Sequence, residues 1–299
     1  MESPRIRKVL GAVATAAIAA ALGVLPTLAG AQQSFASPEA AAQALVDAVA
    51  TSDDVALAAV LGANWQRYIP TAGVDKDDVY AFLAGWARSN RIVRDGSDTA
   101  HLAIGADDWT LPIPIVQRSG KWRFDARAGA DEIRTRRIGR NELAAMQASL
   151  AYYDAQKEYA TQDRNGDGVL EYAQRIISTP GTQDGLYWAE LPGEDASPLG
   201  PVFGDDQPGD DYHGYLFKVL AGQGASARGG AYDYRIKGRM TAGFGLLAWP
   251  VRYGDTGVMT FMLSHYGKLY QKDLGPNTTA VARSMSRFDP DASWQEVKP

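Results

Sequence analysis

Residues 141–172 read N-E-L-A-A-M-Q-A-S-L-A-Y-Y-D-A-Q-K-E-Y-A-T-Q-D-R-N-G-D-G-V-L-E-Y, and the rest of the chain is organised around this stretch. Leu143, Met146, Leu150 and Tyr153 recur at helical spacing and form one apolar stripe. Ala145, Ala148, Tyr152, Ala155 and Tyr159 form a second, offset stripe. Two stripes predict a helix buried on two sides, lying between two lobes and tying them together. Where the helical pattern stops, Asp163, Asn165 and Asp167 alternate with Arg164 and Gly166, and Gly168 follows. This order matches the first half of a calcium loop, in which oxygens at positions one, three and five converge and glycine permits a sharp bend. The carbonyl of Val169 falls at the seventh position and Glu171 at the ninth, so the candidate metal ligands are Asp163, Asn165, Asp167, Val169 and Glu171. Gln174 stands where a bidentate Glu belongs, and no paired helix-loop-helix accompanies the loop. The alternative is an Asx-type turn, in which the same side chains accept from neighbouring N–H groups. Calcium, if bound, is expected as a structural clamp on the helix end.

Upstream, the pattern is that of a small α+β lobe over residues 32–127. Ser37 and Pro38 are a helix-start signal before Ala42, Leu45, Val46 and Val49; Ser52-Asp53-Asp54 caps a short helix through Leu57 and Leu61. Asp75 begins a third helix with Val79, Phe82, Leu83 and Trp86 on one face. Strands are predicted at 101–104, 109–116 and 122–124, the last two joined by a hairpin at Arg118-Ser119-Gly120-Lys121. Helices followed by a curled antiparallel sheet are similar in order to the nuclear-transport-factor-like and cystatin-like groups. His101, in an alternating run, is read as structural. Arg134, Arg136, Arg137 and Arg140 are read as a solvated helix face pairing with acids of the second half, the other possibility being an anion site.

Downstream of the central segment (128–172), residues 173–299 are rich in turns and read as an antiparallel β lobe. Most of the 31 glycines and 15 prolines favour turns between short strands. Strands are predicted at 184–188, 213–220, 231–236, 240–251 and 258–263, the last returning through Ser264-His265-Tyr266-Gly267 into 268–271. Residues 280–285 are predicted to be a closing helix, and Trp294 to pack the end. The fold class is therefore α+β: N-terminal helices with a curled antiparallel sheet, a central amphipathic helix and a C-terminal antiparallel β lobe.

Arg5, Arg7 and Lys8, an Ala/Leu/Val-rich run and Ala29-Gly30-Ala31 before Gln32 form the pattern of a cleaved export signal over residues 1–31. Because Glu2 offsets one of those three cations, its removal takes the net charge from −5 to −7. An acidic protein is a poor partner for nucleic acid or anionic membranes, and no later run is long and apolar enough to span a bilayer. With no cysteine, disulfides, thiol catalysis and Cys-ligated zinc are excluded.

The segments YHGYLFKVLAGQG (212–224), GGAYDYRIKGRMTAGFGLLAWPVRYGDTGVMTF (229–261) and YQKDLGPNT (270–278) resemble an exported bacterial family, domain of unknown function 2950. The resemblance extends to WRFDARAGADEIRTRRIGRNEL (122–143) and STPGTQDGLYW (178–188), almost the whole mature chain. It implies a secreted or periplasmic protein and no particular activity. More weakly, the helix, the D-G-D-G turn and the sheet resemble the globular heads of type IV pilin-like proteins.

No metalloprotease, nucleophile-elbow, P-loop or dinucleotide motif is present. His213, after Asp210 and Asp211, is the best single acid–base candidate, the alternative and preferred reading being a strand-edge residue hydrogen-bonded to the loop. Paired carboxylates for sugar hydrolysis could come from Asp184, Asp205, Asp206 or Asp211. Tyr187, Trp188, Tyr212, Tyr215, Tyr232 and Tyr234 make either a sugar- or peptide-binding surface or part of the core. The expectation is a non-catalytic periplasmic or secreted envelope protein that binds or assembles with an envelope protein or glycan, the alternative being a hydrolase of cell-wall or carbohydrate material.

Overall fold

A computed structural model of the chain describes residues 31–69, 74–189, 196–200 and 211–298. The first thirty residues of the expected export signal, and the candidate carboxylates Asp205 and Asp206 with Asp210, lie outside the described residues.

Three helices open the fold, and each starts where its cap residue stands. Ser37 accepts from Ala40 N at the head of α1 (Pro38–Ala50), and Asp53 accepts from Val55 and Ala56 N at the head of α2 (Asp54–Leu61). Asp75 and Asp78 form a reciprocal capping box on α3 (Lys76–Arg88). The sheet that follows contains β1 (Asn90–Asp95), β2 (Thr99–Ile104), β3 (Trp109–Thr110), β4 (Ile115–Arg118) and β5 (Lys121–Phe124), all antiparallel. The expected strand at 109–116 is two strands, because Pro112 and Pro114 lack the N–H that a continuous ladder needs; both pieces pair with β2. Strand β1 carries Ile92 and Val93 among charged neighbours, so sequence periodicity gives no signal for it. The β4–β5 hairpin turns through Ser119 and Gly120 with φ of 49° and 75°, the positive pair of a type I′ turn. Phe35, Leu45, Leu61, Leu102, Ile115, Trp122 and Phe124 form the first core.

Helix α4 runs from Ala126 to Tyr159, 34 residues, with Asp125 accepting from Ala128 N as its cap. It begins well before Asn141 and absorbs the arginine run. Arg134 pairs with Asp131 at 2.8 Å and Arg136 with Glu132 at 2.7 Å, both on the helix itself, while Arg137 pairs with Asp255. The expected pairing with the second half thus holds for Arg137, and Arg134 and Arg136 pair locally. Arg136 also donates to Thr110 O and Oγ1, and Gly129 approaches Ile113, so the first half of α4 is seated on the first sheet.

The second half packs on another antiparallel sheet, in the order β14-β13-β12-β11-β6. Its strands are β6 (Tyr215–Leu220), β11 (Gly245–Pro250), β12 (Met259–Ser264), β13 (Leu269–Asp273) and β14 (Gln295–Val297); two ribbons pair β7 (Gly222–Gln223) with β8 (Tyr232–Asp233), and β9 (Arg235–Ile236) with β10 (Arg239–Met240). Alternation sorts the faces. Leu246, Ala248, Phe261 and Leu263 face a core shared with Tyr152 and Tyr159 of α4. Leu247, Trp249 and Met262 face a separate cluster with Ala282 of α5 (Thr278–Ser284), Phe288 and Trp294. Strand β11 is therefore buried along its whole length. Glu142 Oε1 accepts from Val258 N and Met259 N, both 2.9 Å, and fastens the helix to the start of β12.

Two expectations are corrected here. The Ala145–Tyr159 stripe is the buried one, whereas Leu143 remains 46% exposed and Met146, Leu150 and Tyr153 are half-buried. The helix has one sheet beneath its second half, so the other stripe lies at the margin of the contact. Residues 184–188 make a single bridge, Ile177 to Tyr187, and no strand.

Candidate functional site at the acidic loop

The loop after α4 is anchored by an amide. Gln156, fully buried, donates from Nε2 to Ala173 O and accepts Ala173 N at Oε1, both 2.8 Å, and Nε2 also donates to Tyr152 Oη at 2.9 Å. This clamp returns the chain to the helix and closes residues 160–172 into a loop. Within it, Asp163 Oδ1 accepts from Gly166 N at 2.9 Å and Asp167 N at 3.2 Å, and Oδ2 accepts from Gly168 N at 2.7 Å. These N–H donors, that of Gly168 first, outweigh burial and hold the Asp163 carboxyl below the usual range. Asn165 Oδ1 accepts from Asp167 N, and Asp167 Oδ1 accepts from Val169 N. Gly166 and Gly168 have φ of 73° and 81°, the left-handed backbone that the bend requires.

The structure brings the five candidate ligands into one turn. Asn165 Nδ2 donates to Glu171 Oε1 at 2.7 Å, linking the third and ninth positions, and Arg239 pairs with Asp167 Oδ2 at 2.8 Å. Gln174, at the twelfth position, donates to Gly238 O instead of facing the loop. Among the described residues, no three His, Cys, Asp or Glu side chains are arranged to hold an ion. A cation here would need the Asn165 and Val169 oxygens as well as the carboxylates.

Beside the loop lies a cleft of about 390 Å³, lined in part by Tyr159, Arg164, Asn165, Glu171, Gln183 and Asp184. Arg164, a spacer in the calcium-loop pattern, is its organising residue. Its guanidinium carbon lies 5.0 Å from the ring centroids of both Tyr159 and Trp188, and Nη1 donates to Gln183 Oε1 at 3.2 Å. Tyr159 Oη donates to Gln183 O at 2.8 Å. Asp184 accepts from Thr179 N, Thr179 Oγ1 and Thr182 Oγ1. Burial raises the Asp184 pKa, but these bonds and Arg175 outweigh it and leave the carboxyl below the usual range. Nothing in the spacing of Gln156, Arg164 or Gln183 marks them in the sequence.

The other sequence candidates lie elsewhere. His213 and Gly214, with φ of 48° and 72°, are the central pair of a tight turn in which Tyr212 and Tyr215 exchange both backbone hydrogen bonds. Asp211 Oδ2 accepts from Gly214 N at 2.7 Å, so Asp211 and His213 build a type I′-like turn. His101 sits on β2 opposite Val93. His265 is half-buried between the Tyr234 and Tyr266 rings, and burial, with Lys157 nearby, pushes its pKa down. The aromatic set divides: Tyr215 and Tyr234 are core, and Trp188 backs the cleft.

These features define an α+β protein in which one long helix joins two antiparallel sheets and ends in an aspartate-rich loop beside a polar cleft. The chain belongs to the family described as "Protein of unknown function (DUF2950)", which matches residues 32–297. No curated protein and no solved structure matches it.

Proposed function

We propose that this is an exported, non-catalytic protein of the bacterial cell envelope that works by binding or assembly, with the acidic loop as an architectural joint. The observation that carries this reading is the engagement of the loop oxygens: both oxygens of Asp163 and of Asp167, and that of Asn165, are taken by loop N–H groups or by Arg239. Oxygens so used shape backbone. The basic, apolar, small-residue pattern of residues 1–31 supports export to the periplasm or beyond. Among the described residues no helix is long and apolar enough to cross a membrane.

A hydrolase of cell-wall or carbohydrate material is the second reading, favoured by the presence of Glu171 and Asp184 in one cleft. Incubation with peptidoglycan and a panel of glycans separates the two. Mass spectrometry is expected to find the substrates intact; products that disappear in Glu171→Gln or Asp184→Asn would overturn the non-catalytic reading.

Calcium is the ion proposed for the joint, through Asp163, Asn165, Asp167, the Val169 carbonyl and Glu171. With Arg239 on Asp167 and Gln174 diverted, the expected affinity is that of weak extracellular sites, about 10⁻⁴–10⁻³ M. Binding to the native state alone raises the melting temperature by mass action. Melts in millimolar calcium are therefore expected a few degrees above melts in chelator. Superimposed curves would assign the joint to its own N–H groups and remove calcium.

A further inference from the structure

We propose that the cleft between the acidic loop and the 175–184 segment binds an uncharged oligosaccharide. This deepens the binding reading above and rests on it. The lining decides the ligand class. Among the described residues no aliphatic side chain lines the cleft; its walls are phenols, amides, a hydroxyl, carboxylates and guanidinium groups. Such walls give an acyl chain or an apolar small molecule nothing to displace water with.

Charge then separates the polar ligands. Arg164 and Arg175 are balanced by Glu171 and Asp184, and Arg175 stands 3.6 Å from Asp184. A phosphate or a polybasic peptide would meet as much repulsion as attraction. Asn165, Gln174 and Gln183 each present both a donor and an acceptor, which suits the hydroxyl group, itself both. The half-buried ring of Tyr172 supplies apolar surface for the C–H face of a sugar ring.

The groups are also held in place before any ligand arrives. Arg164 is fixed between two rings, Asp184 by the threonine bonds, and Glu171 by Asn165. Pre-ordered side chains lose little freedom on binding.

The test is calorimetric titration of the full chain with neutral gluco-, galacto-, manno- and N-acetylglucosamine oligosaccharides, alongside inorganic phosphate and a short peptide library. At least one neutral oligosaccharide is expected to bind in the micromolar to millimolar range. Its affinity should fall about tenfold or more in Gln183→Ala and in Arg164→Met, which keeps a stem between the rings, and hold in Arg287→Ala, which lies in another cleft. Arg175→Ala, at an exposed position, serves if Arg164→Met fails to fold. No oligosaccharide binding at millimolar concentration, binding indifferent to the cleft variants, or binding of phosphate or peptide in place of sugar would overturn the proposal. Mass spectrometry of the same mixtures keeps the two readings apart: sugar bound and cleaved retains the cleft but overturns the non-catalytic role, and sugar neither bound nor cleaved overturns the cleft while an assembly role stands.

Discussion

Gln156→Ala is expected to destabilise the protein by about 3–5 kcal/mol, since it strands two buried main-chain groups and opens a cavity. The amide of Gln156 is the hydrogen-bond partner of both Ala173 N and Ala173 O, and Ala173 is itself buried. Tyr152 Oη, which accepts from the same amide, loses that donor as well. Water cannot replace these bonds without entering the core between α4 and the second sheet. At about 2–4 °C per kcal/mol for a chain of this size, the melting temperature should fall by roughly 10 °C or more. Gln156→Met restores most of the volume and none of the bonds, so it should recover only the cavity part of the loss. Urea unfolding followed by far-UV circular dichroism measures both. A loss under about 1 kcal/mol in Gln156→Ala would show that the clamp on Ala173 is not what closes the loop.

Gly257→Ala is the second large effect, expected to cost about 2–3 kcal/mol or more through overpacking. A methyl group built at Gly257 would stand 2.2 Å from Tyr215 Oη and 2.6 Å from Tyr215 Cε2. Tyr215 is fully buried and donates to Met259 O at 2.8 Å, so the ring has nowhere to go. The backbone is equally constrained, because Gly254 N donates to Gly257 O and the next residue, Val258, donates to Glu142. Gly139→Ala makes the opposite-signed control. Its added methyl meets nothing within 4 Å on the exposed side of α4, and removing a glycine from a helix interior should stabilise by about 0.5–1 kcal/mol. Equal effects at the two glycines would contradict the packing around Tyr215.

What could be read from the residues follows the range over which each signal acts. Ser37, Asp53 and Asp75 mark helix starts because a cap is settled by its own side chain and the N–H groups two or three residues on. Ser119-Gly120 and Gly267 mark hairpins for the same local reason, a backbone that must take positive φ. His213-Gly214 carries that signal too, and the structure makes it the central pair of a tight turn. Strands β1 and β14 gave no such mark, since pairing with β2 and β13 makes them strands and their own residues are mostly polar.

The acidic loop divides along the same line. Its alternating oxygens and glycines determined by themselves that the chain bends sharply after the central helix, because side-chain acceptors two to five residues from their N–H donors need no other part of the protein. The sequence likewise determined the α+β class, through periodicities that switch from helical to alternating and back. Which stripe of α4 is buried, that Arg239 closes on Asp167, and that Arg164 and Gln183 make a cleft wall were decided only by the tertiary structure. Those contacts join residues far apart in the chain, and their free energy exists only once the two sheets have docked on the helix that connects them.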